Sequence, residues 1–324
     1  MMDPFESFLA DTLEKYIAYR RGLGYKEKPL RQSLGYFDRY LQTKEVDLNS
    51  CTPSFFLTFR ASLKLNPKTV NGILAVTRGF FQYLERLETF KENPLLDIPR
   101  LKELHFIPFV FSPEHIELLL QELQKRLRKN KNYFLNDLAE YIAIVLLARC
   151  GLRISEPTRL LRTHVRPCEA TLYIEKTKFS KDRLIPAPRA VIREIENYLA
   201  VRRALLGAEK NPYLLICGKD KKLTRTQLYP TFRRAVKAIG LDQSKQVLAN
   251  TTFGSPTPHG LRHAFAVNTL KRIKHQGKSP QNALPILAAY MGHCHYKHTG
   301  VYLKVIDAQQ RLELYNFTKS REDR

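Results

Sequence analysis

Four stretches in the C-terminal two thirds of the chain carry residue types that can act on a phosphate. In His259-Gly260-Leu261-Arg262-His263, His259 and Arg262 stand at i and i+3 and share a helix face. An imidazole moves protons near neutrality, and a guanidinium is a permanent planar fork of donors, which together suit transfer at a phosphate. A capping histidine beside a surface arginine would have the same spelling. Arg153, in Gly151-Leu152-Arg153-Ile154-Ser155-Glu156, follows a glycine break leading into a short helix. A helix start beside a guanidinium favours an oxyanion, although many such arginines are structural. Lys176-Thr177-Lys178-Phe179-Ser180-Lys181-Asp182-Arg183 sets four cations on the tip of a strand pair, to reach into a groove or to guard a sheet edge. Finally, Met291-Gly292-His293-Cys294-His295-Tyr296-Lys297-His298-Thr299-Gly300-Val301-Tyr302 gathers three histidines and a cysteine. His293 and His295 are too close to ligate from one helix face, and no second ligand pair stands at finger spacing, so no metal is expected. Tyr302 is one of 16 tyrosines and reads equally as a core aromatic.

These residues need elements to hold them. Apolar periodicity predicts helices over 5–22 (Phe5, Phe8, Leu9, Leu13, Tyr16, Ile17), 29–41, 53–63 and from Asn66-Pro67 to about Thr89. No strand is expected in the first hundred residues, which read as a four- or five-helix domain spanning 1–98. Prolines 94, 99, 108 and 113 punctuate the stretch that follows, and 99–111 is expected to be an extended linker. Residues 112–324 form the second domain, with helices expected at 113–129, 134–149, 155–162, 189–205, 226–238, 260–274, 281–291 and 307–316. Between them the period changes to two. Ala170–Ile174 and Arg183–Pro186 predict a small antiparallel sheet. The polar stretch from about 240 to 258 fits no element. The fold class is mainly α.

Charge names the partner. The 324 residues carry 54 Lys+Arg against 31 Asp+Glu, a net of +23. Residues 1–100 hold 15 basic and 12 acidic side chains, whereas 201–300 hold 17 and 3, and 251–300 has no carboxylate. A carboxylate-free stretch of this length faces phosphates rather than solvent, so nucleic acid is the expected partner. No basic amphipathic helix dominates, and no apolar run approaches the roughly 20 residues of a membrane span, which excludes the membrane as partner. Lys68, at a helix start in the first domain, and Arg225, ahead of the 226–238 helix, are candidate DNA-phosphate contacts. Five scattered cysteines without a CxxC exclude a disulfide scaffold, and the acidic N-terminus lacks the basic start of a signal peptide. A cytoplasmic, nucleoid-associated setting is expected.

Taken in order, Arg153 in GLRISE, Lys178 on a hairpin, His259-x-x-Arg262, Gly292-His293 and Tyr302 nine residues later resemble the tyrosine recombinase (phage integrase) family, over about 112–318. The helical first domain resembles that family's core-binding domain, and the resemblance implies a C-shaped clamp on duplex DNA. It implies metal-free and cofactor-free transesterification. Tyr302 attacks a backbone phosphate to give a 3′-phosphotyrosine, Arg153 and Arg262 hold the non-bridging oxygens, and Lys178 protonates the leaving 5′-oxygen. His259 assists the phenol's deprotonation and His293 hydrogen-bonds the phosphate. The cationic surroundings are expected to favour the phenolate. Met291 stands where the family has leucine, and Thr299-Gly300 where it has paired threonines, so the helix presenting Tyr302 is loosened by about 1 kcal/mol relative to alanine. A site-specific recombinase or integrase of a mobile element or of Xer type is implied, acting as a homotetramer on synapsed sites through a Holliday junction, with accessory DNA-bending proteins as further partners. A type IB topoisomerase and a non-catalytic DNA-binding protein are the alternatives. The 307–316 helix is expected to dock on a neighbouring protomer, or else in cis on its own domain.

Overall fold

The computed structural model describes residues 4–44, 46–175, 182–208, 210–248, 251–293, 299–303 and 305–306. The chain divides into two compact units, Met1–Leu104 and His105–Arg324. Helix starts in both units repeat one device. Thr52, Asn66, Ser112 and Thr257 each precede a proline, and each side-chain oxygen accepts the backbone N–H three residues on, from Phe55, Thr69, His115 and Gly260. The cap satisfies a donor the helix leaves orphaned, and proline occupies a first position where its missing N–H costs nothing.

The first unit is helical: α1 (Ala10–Gly22), α2 (Glu27–Gln42), α3 (Pro53–Ser62) and α4 (Pro67–Arg86). Its core centres on Phe37, whose ring meets Phe56, Phe59, Phe80 and Phe81. α1 starts later than the expected 5–22, because the buried Asp38 carboxylate takes the N–H groups of Glu6 and Ser7 at 3.1 and 3.0 Å and holds that segment outside a helix. Phe5 and Leu9 still enter the core, whereas Phe8 is 51% exposed. The proline-punctuated stretch is no free connector at either end. Arg78 Nε donates to the Leu95 carbonyl at 2.9 Å, and Asn71 exchanges two hydrogen bonds with the Leu101 backbone. Further on, His105–Ile107 is a strand, β1, and Phe111 is fully buried in the core of the second unit.

In the second unit, α5 (Pro113–Lys125) leads to α6 (Lys131–Cys150). Tyr141–Ala148 of α6 are all buried, and the helix packs against α5 and three later helices, α7 (Arg189–Leu206), α8 (Arg225–Ala238) and α9 (Pro258–His275). A helix apolar on every face belongs at the centre, and α6 is the axle of this unit. The expected helix at 155–162 is instead a turn and one tight helical turn, Pro157–Arg159, since Leu160 turns to an extended ψ of 134° and its carbonyl accepts the Leu214 N–H at 2.7 Å. β2 (Val165–Arg166), β3 (Thr171–Ile174) and β4 (Arg183–Pro186) form an antiparallel sheet in that order. The polar stretch that fits no element by its pattern contains β5 (Gln246–Leu248) and β6 (Thr251–Phe253). They pair antiparallel, and β6 pairs parallel with β1. α10 (Pro280–Met291) closes the order, and 299–303 and 305–306 are helical again. The expected 307–316 helix lies outside the described residues. No described helix is long and apolar enough to cross a membrane.

Candidate active site

Two helix ends and their glycines build the floor of the site. α6 runs into Gly151, which sits at φ +59°, and a Cβ there would lie 2.4 Å from the Phe265 ring. α10 ends at Gly292 in the left-handed conformation, φ +65°, with Arg183 Nη1 3.1 Å from where a Cβ would be. Only glycine fits both corners. Each corner leaves backbone carbonyls without a helical partner, and the two candidate arginines take them up. Arg262 Nη1 donates to the Gly151 carbonyl at 2.6 Å and Nη2 to that of Met291, while Arg153 Nη2 donates to the Gly292 carbonyl at 2.7 Å. Arg262 is only 1% exposed. Burial, helped by Arg153, lowers its guanidinium to about 10, so it remains a cation at neutral pH.

Glu156 gives the arginines their counter-charge. Its carboxylate accepts the Arg153 backbone N–H at 2.8 Å and Nη1 at 3.0 Å, and it takes a two-pronged pair from Arg183 at 3.0 and 2.8 Å. Arg183 Nε also donates to the Tyr290 carbonyl at 2.8 Å. One buried carboxylate thus ties the α6 corner to β4, and β4 to the end of α10. Burial by itself raises the Glu156 carboxyl, but the hydrogen bonds and charge of Arg183, with Arg153 and Arg262, hold it below the usual range.

The remaining candidates meet along α9. His293 faces Arg262 Nη2 with Nε2 at 3.1 Å and Thr299 Oγ1 with Nδ1 at 2.8 Å. A guanidinium can only donate, so Nε2 is the acceptor and Nδ1 carries the proton toward Thr299. Tyr302 is 4% exposed and belongs to a satellite core with Val267, Leu270, Leu287 and Met291 from α9 and α10. Its ring packs as a core aromatic, and its hydroxyl lies among the polar groups. Tyr302 Oη lies 3.2 Å from Nδ1 of His263, and the two rings are tilted at 5.6 Å. The His263 ring in turn stands edge-on to His259 at 4.5 Å. His259 keeps an exposed face, although desolvation, then Arg262 and Arg153, push its imidazole below the usual value. His263 goes further, to about 3, through burial, His259, Arg262 and His293.

One expectation is reversed. Burial raises the Tyr302 phenol by more than Arg262 and Arg153 lower it, so this arrangement keeps it neutral rather than favouring the phenolate. The structure therefore brings Arg153, His259, Arg262, His293 and Tyr302 together. Lys178, with Lys176 and Lys181, lies outside the described residues. Arg225 opens α8 and lines a surface groove of about 910 Å³ with Tyr229, Arg233, Arg234 and Lys237, which reaches Ile154 beside Arg153. Lys68 is exposed on the first turn of α4 in the other unit. Four participants have no part assigned by sequence pattern alone: Glu156, Arg183, His263 and Thr299. The spacing holds a signal for two of them, since Glu156 is three residues after Arg153 and His263 four after His259.

Comparison with known proteins completes the picture. The model of the phage integrase family matches residues 110–309. The y4rE protein of Sinorhizobium fredii, which bears an integrase/recombinase designation, is 30% identical over 309 residues, covering 93% of each chain. Among solved structures, the XerH site-specific recombinase in a post-cleavage complex with palindromic difH DNA aligns with a TM-score of 0.68 at 20% identity, over 94% of this chain and 83% of that one. A lambda integrase tetramer bound to a Holliday junction aligns with a TM-score of 0.63 at 15% identity, over 89% and 77%. At these identities the two structures bear on the fold.

Proposed function

From the premise that this chain belongs to the phage integrase family, the tyrosine recombinases, we propose that it cleaves and rejoins duplex DNA at specific sites through a 3′-phosphotyrosine on Tyr302. The observation that carries the proposal is the convergence of Arg153, Arg262 and His293 beside the one tyrosine that stands nine residues past Gly292-His293. A pentacoordinate phosphate gathers charge on its non-bridging oxygens, and two guanidiniums already positioned by helix-end carbonyls supply fixed donors for it. Those anchors leave part of each fork to be turned on substrate. His293 braces the Arg262 fork from the same side, its Nε2 accepting from Nη2.

The poor alkoxide leaving group needs a proton, and Lys178 is proposed to supply it from the tip between β3 and β4. The covalent phosphotyrosine keeps the energy of the phosphodiester, so a new 5′-hydroxyl is joined without ATP. The helical first unit, with Lys68, and the basic α8 face, with Arg225, are each proposed to contact DNA backbone. Pairing two sites in a tetramer and passing strands through a Holliday junction follows from the recombinase reading. It is supported by the resemblance to the lambda integrase tetramer, which is bound to such a junction.

The test needs no knowledge of the natural site. Duplexes with a nick inside a randomised block trap a covalent intermediate, because the short 5′-fragment diffuses away after cleavage. Tyr302→Phe should lose denaturant-resistant adducts entirely while binding duplex DNA as before. Lys178→Ala should lose most of the adduct and regain it on a 5′-phosphorothiolate, whose leaving group needs no acid. Adducts that persist in Tyr302→Phe, or rescue confined to a Lys181 variant, would overturn these assignments.

A further inference from the structure

We propose that His263, and not His259, is the base that takes the proton from Tyr302 when the phenolic oxygen attacks phosphorus. The inference rests on the recombinase reading above and deepens it at one step. Three observations carry it. The Tyr302 hydroxyl lies 3.2 Å from His263 Nδ1, within reach for a direct transfer. The two side chains are fixed from both sides, His263 by the His259 ring at 4.5 Å and Tyr302 by the satellite core of α9 and α10. His259 sits a helical turn nearer the α9 N-terminus and shows an exposed face, which suits contact with a phosphate oxygen better than with a buried hydroxyl.

The groups around His263 also explain how it is kept idle. His259 and Arg262 crowd it from α9, and His293 from the turn after α10, so in the free protein it stays an uncharged acceptor with the phenol neutral beside it. A bound phosphodiester adds a negative charge beside these rings. That anion offsets the repulsion from Arg262, His259 and His293, and protonation of His263 becomes easier just when substrate is present. In the step itself the Tyr302 O–H bond breaks, its proton goes to Nδ1, and its electron pair forms the new bond to phosphorus. The P–O5′ bond breaks with its pair on the 5′-oxygen, which receives a proton from the acid on the leaving side. Rejoining runs the same path backward, and His263 returns the proton to Tyr302.

The experiment uses the full chain and the randomised nicked duplexes. His263→Asn keeps an acceptor of similar reach but cannot hold a proton, and should slow adduct formation by about 10²-fold or more with duplex binding unchanged. Fluorotyrosine at position 302 ionises more readily and needs a base less, so it should shrink the His263→Asn deficit several-fold and leave that of His259→Asn as it was. A wild-type rate in His263→Asn, or a deficit relieved in His259→Asn instead, overturns the proposal. The unmutated protein gives an independent reading. Long-range proton–nitrogen NMR should show His263 protonated on Nε2 with Nδ1 bare, and a proton found on Nδ1 contradicts it. Loss of adducts in Tyr302→Phe together with a wild-type rate in His263→Asn refutes only the base, whereas adducts surviving in Tyr302→Phe refute the recombinase site as well.

Discussion

Glu156 is the residue on which the anchored arginines depend. Its buried carboxylate joins Arg153 to Arg183, and removing it leaves both guanidiniums charged and uncompensated. Glu156→Ala should cost about 3–5 kcal/mol of stability, read as the loss in denaturant midpoint, and should weaken adduct formation because Arg153 loses its hold. The sign of the pH dependence follows from the depressed carboxyl. Its contribution is complete above the ordinary glutamate range and is lost as pH falls through the lower folded value. The alanine variant should therefore lose stability at neutral pH and lose less at strongly acid pH. A constant difference across that range would contradict an ionised Glu156. At this scale the residues that the structure gathers, Arg153, Arg262 and Tyr302, stand out in the sequence by type and spacing. The sequence conceals Arg183, because a partner 27 residues from Glu156 leaves no local pattern.

At the scale of elements, two glycines of opposite meaning separate geometry from propensity. Gly151→Ala would force a left-handed alanine into the Phe265 ring at 2.4 Å, and should destabilise the protein by about 2–4 kcal/mol and displace Arg153. Gly300 is helical, and an added methyl would meet no heavy atom within 4 Å, so Gly300→Ala should gain up to about 1 kcal/mol by stiffening the helix that carries Tyr302. Thermal unfolding of both variants checks this, and a destabilised Gly300→Ala would contradict it. Helix positions were legible because capping residues and prolines announce them in the sequence. The sheet of β1, β5 and β6 was not, since β1 pairs with a strand about 145 residues later and three-residue strands show no period. The bond from the Leu214 N–H to the Leu160 carbonyl, which ends the expected 155–162 helix early, likewise leaves no local sign.

For the whole molecule the governing quantity is the net charge of +23, concentrated after residue 100. Neutralising several backbone phosphates releases counterions, so duplex affinity should fall by about 10³-fold or more between roughly 50 and 200 mM salt. An affinity that hardly moves over that range would remove backbone phosphate as the main partner. Lys68→Ala and Arg225→Ala should each reduce the steepness of the salt dependence by about one unit on a log–log plot without altering sequence preference. The ties from Arg78 and Asn71 that secure the proline-punctuated stretch left no sign in the sequence. The central claim concerns one oxygen atom, and mapping the trapped intermediate tests it most directly. Nuclease and protease digestion of the denaturant-resistant adduct, followed by tandem mass spectrometry, should place the nucleotide remnant on Tyr302. A remnant on Tyr296 or Tyr290, or peptides that carry none, would contradict the account.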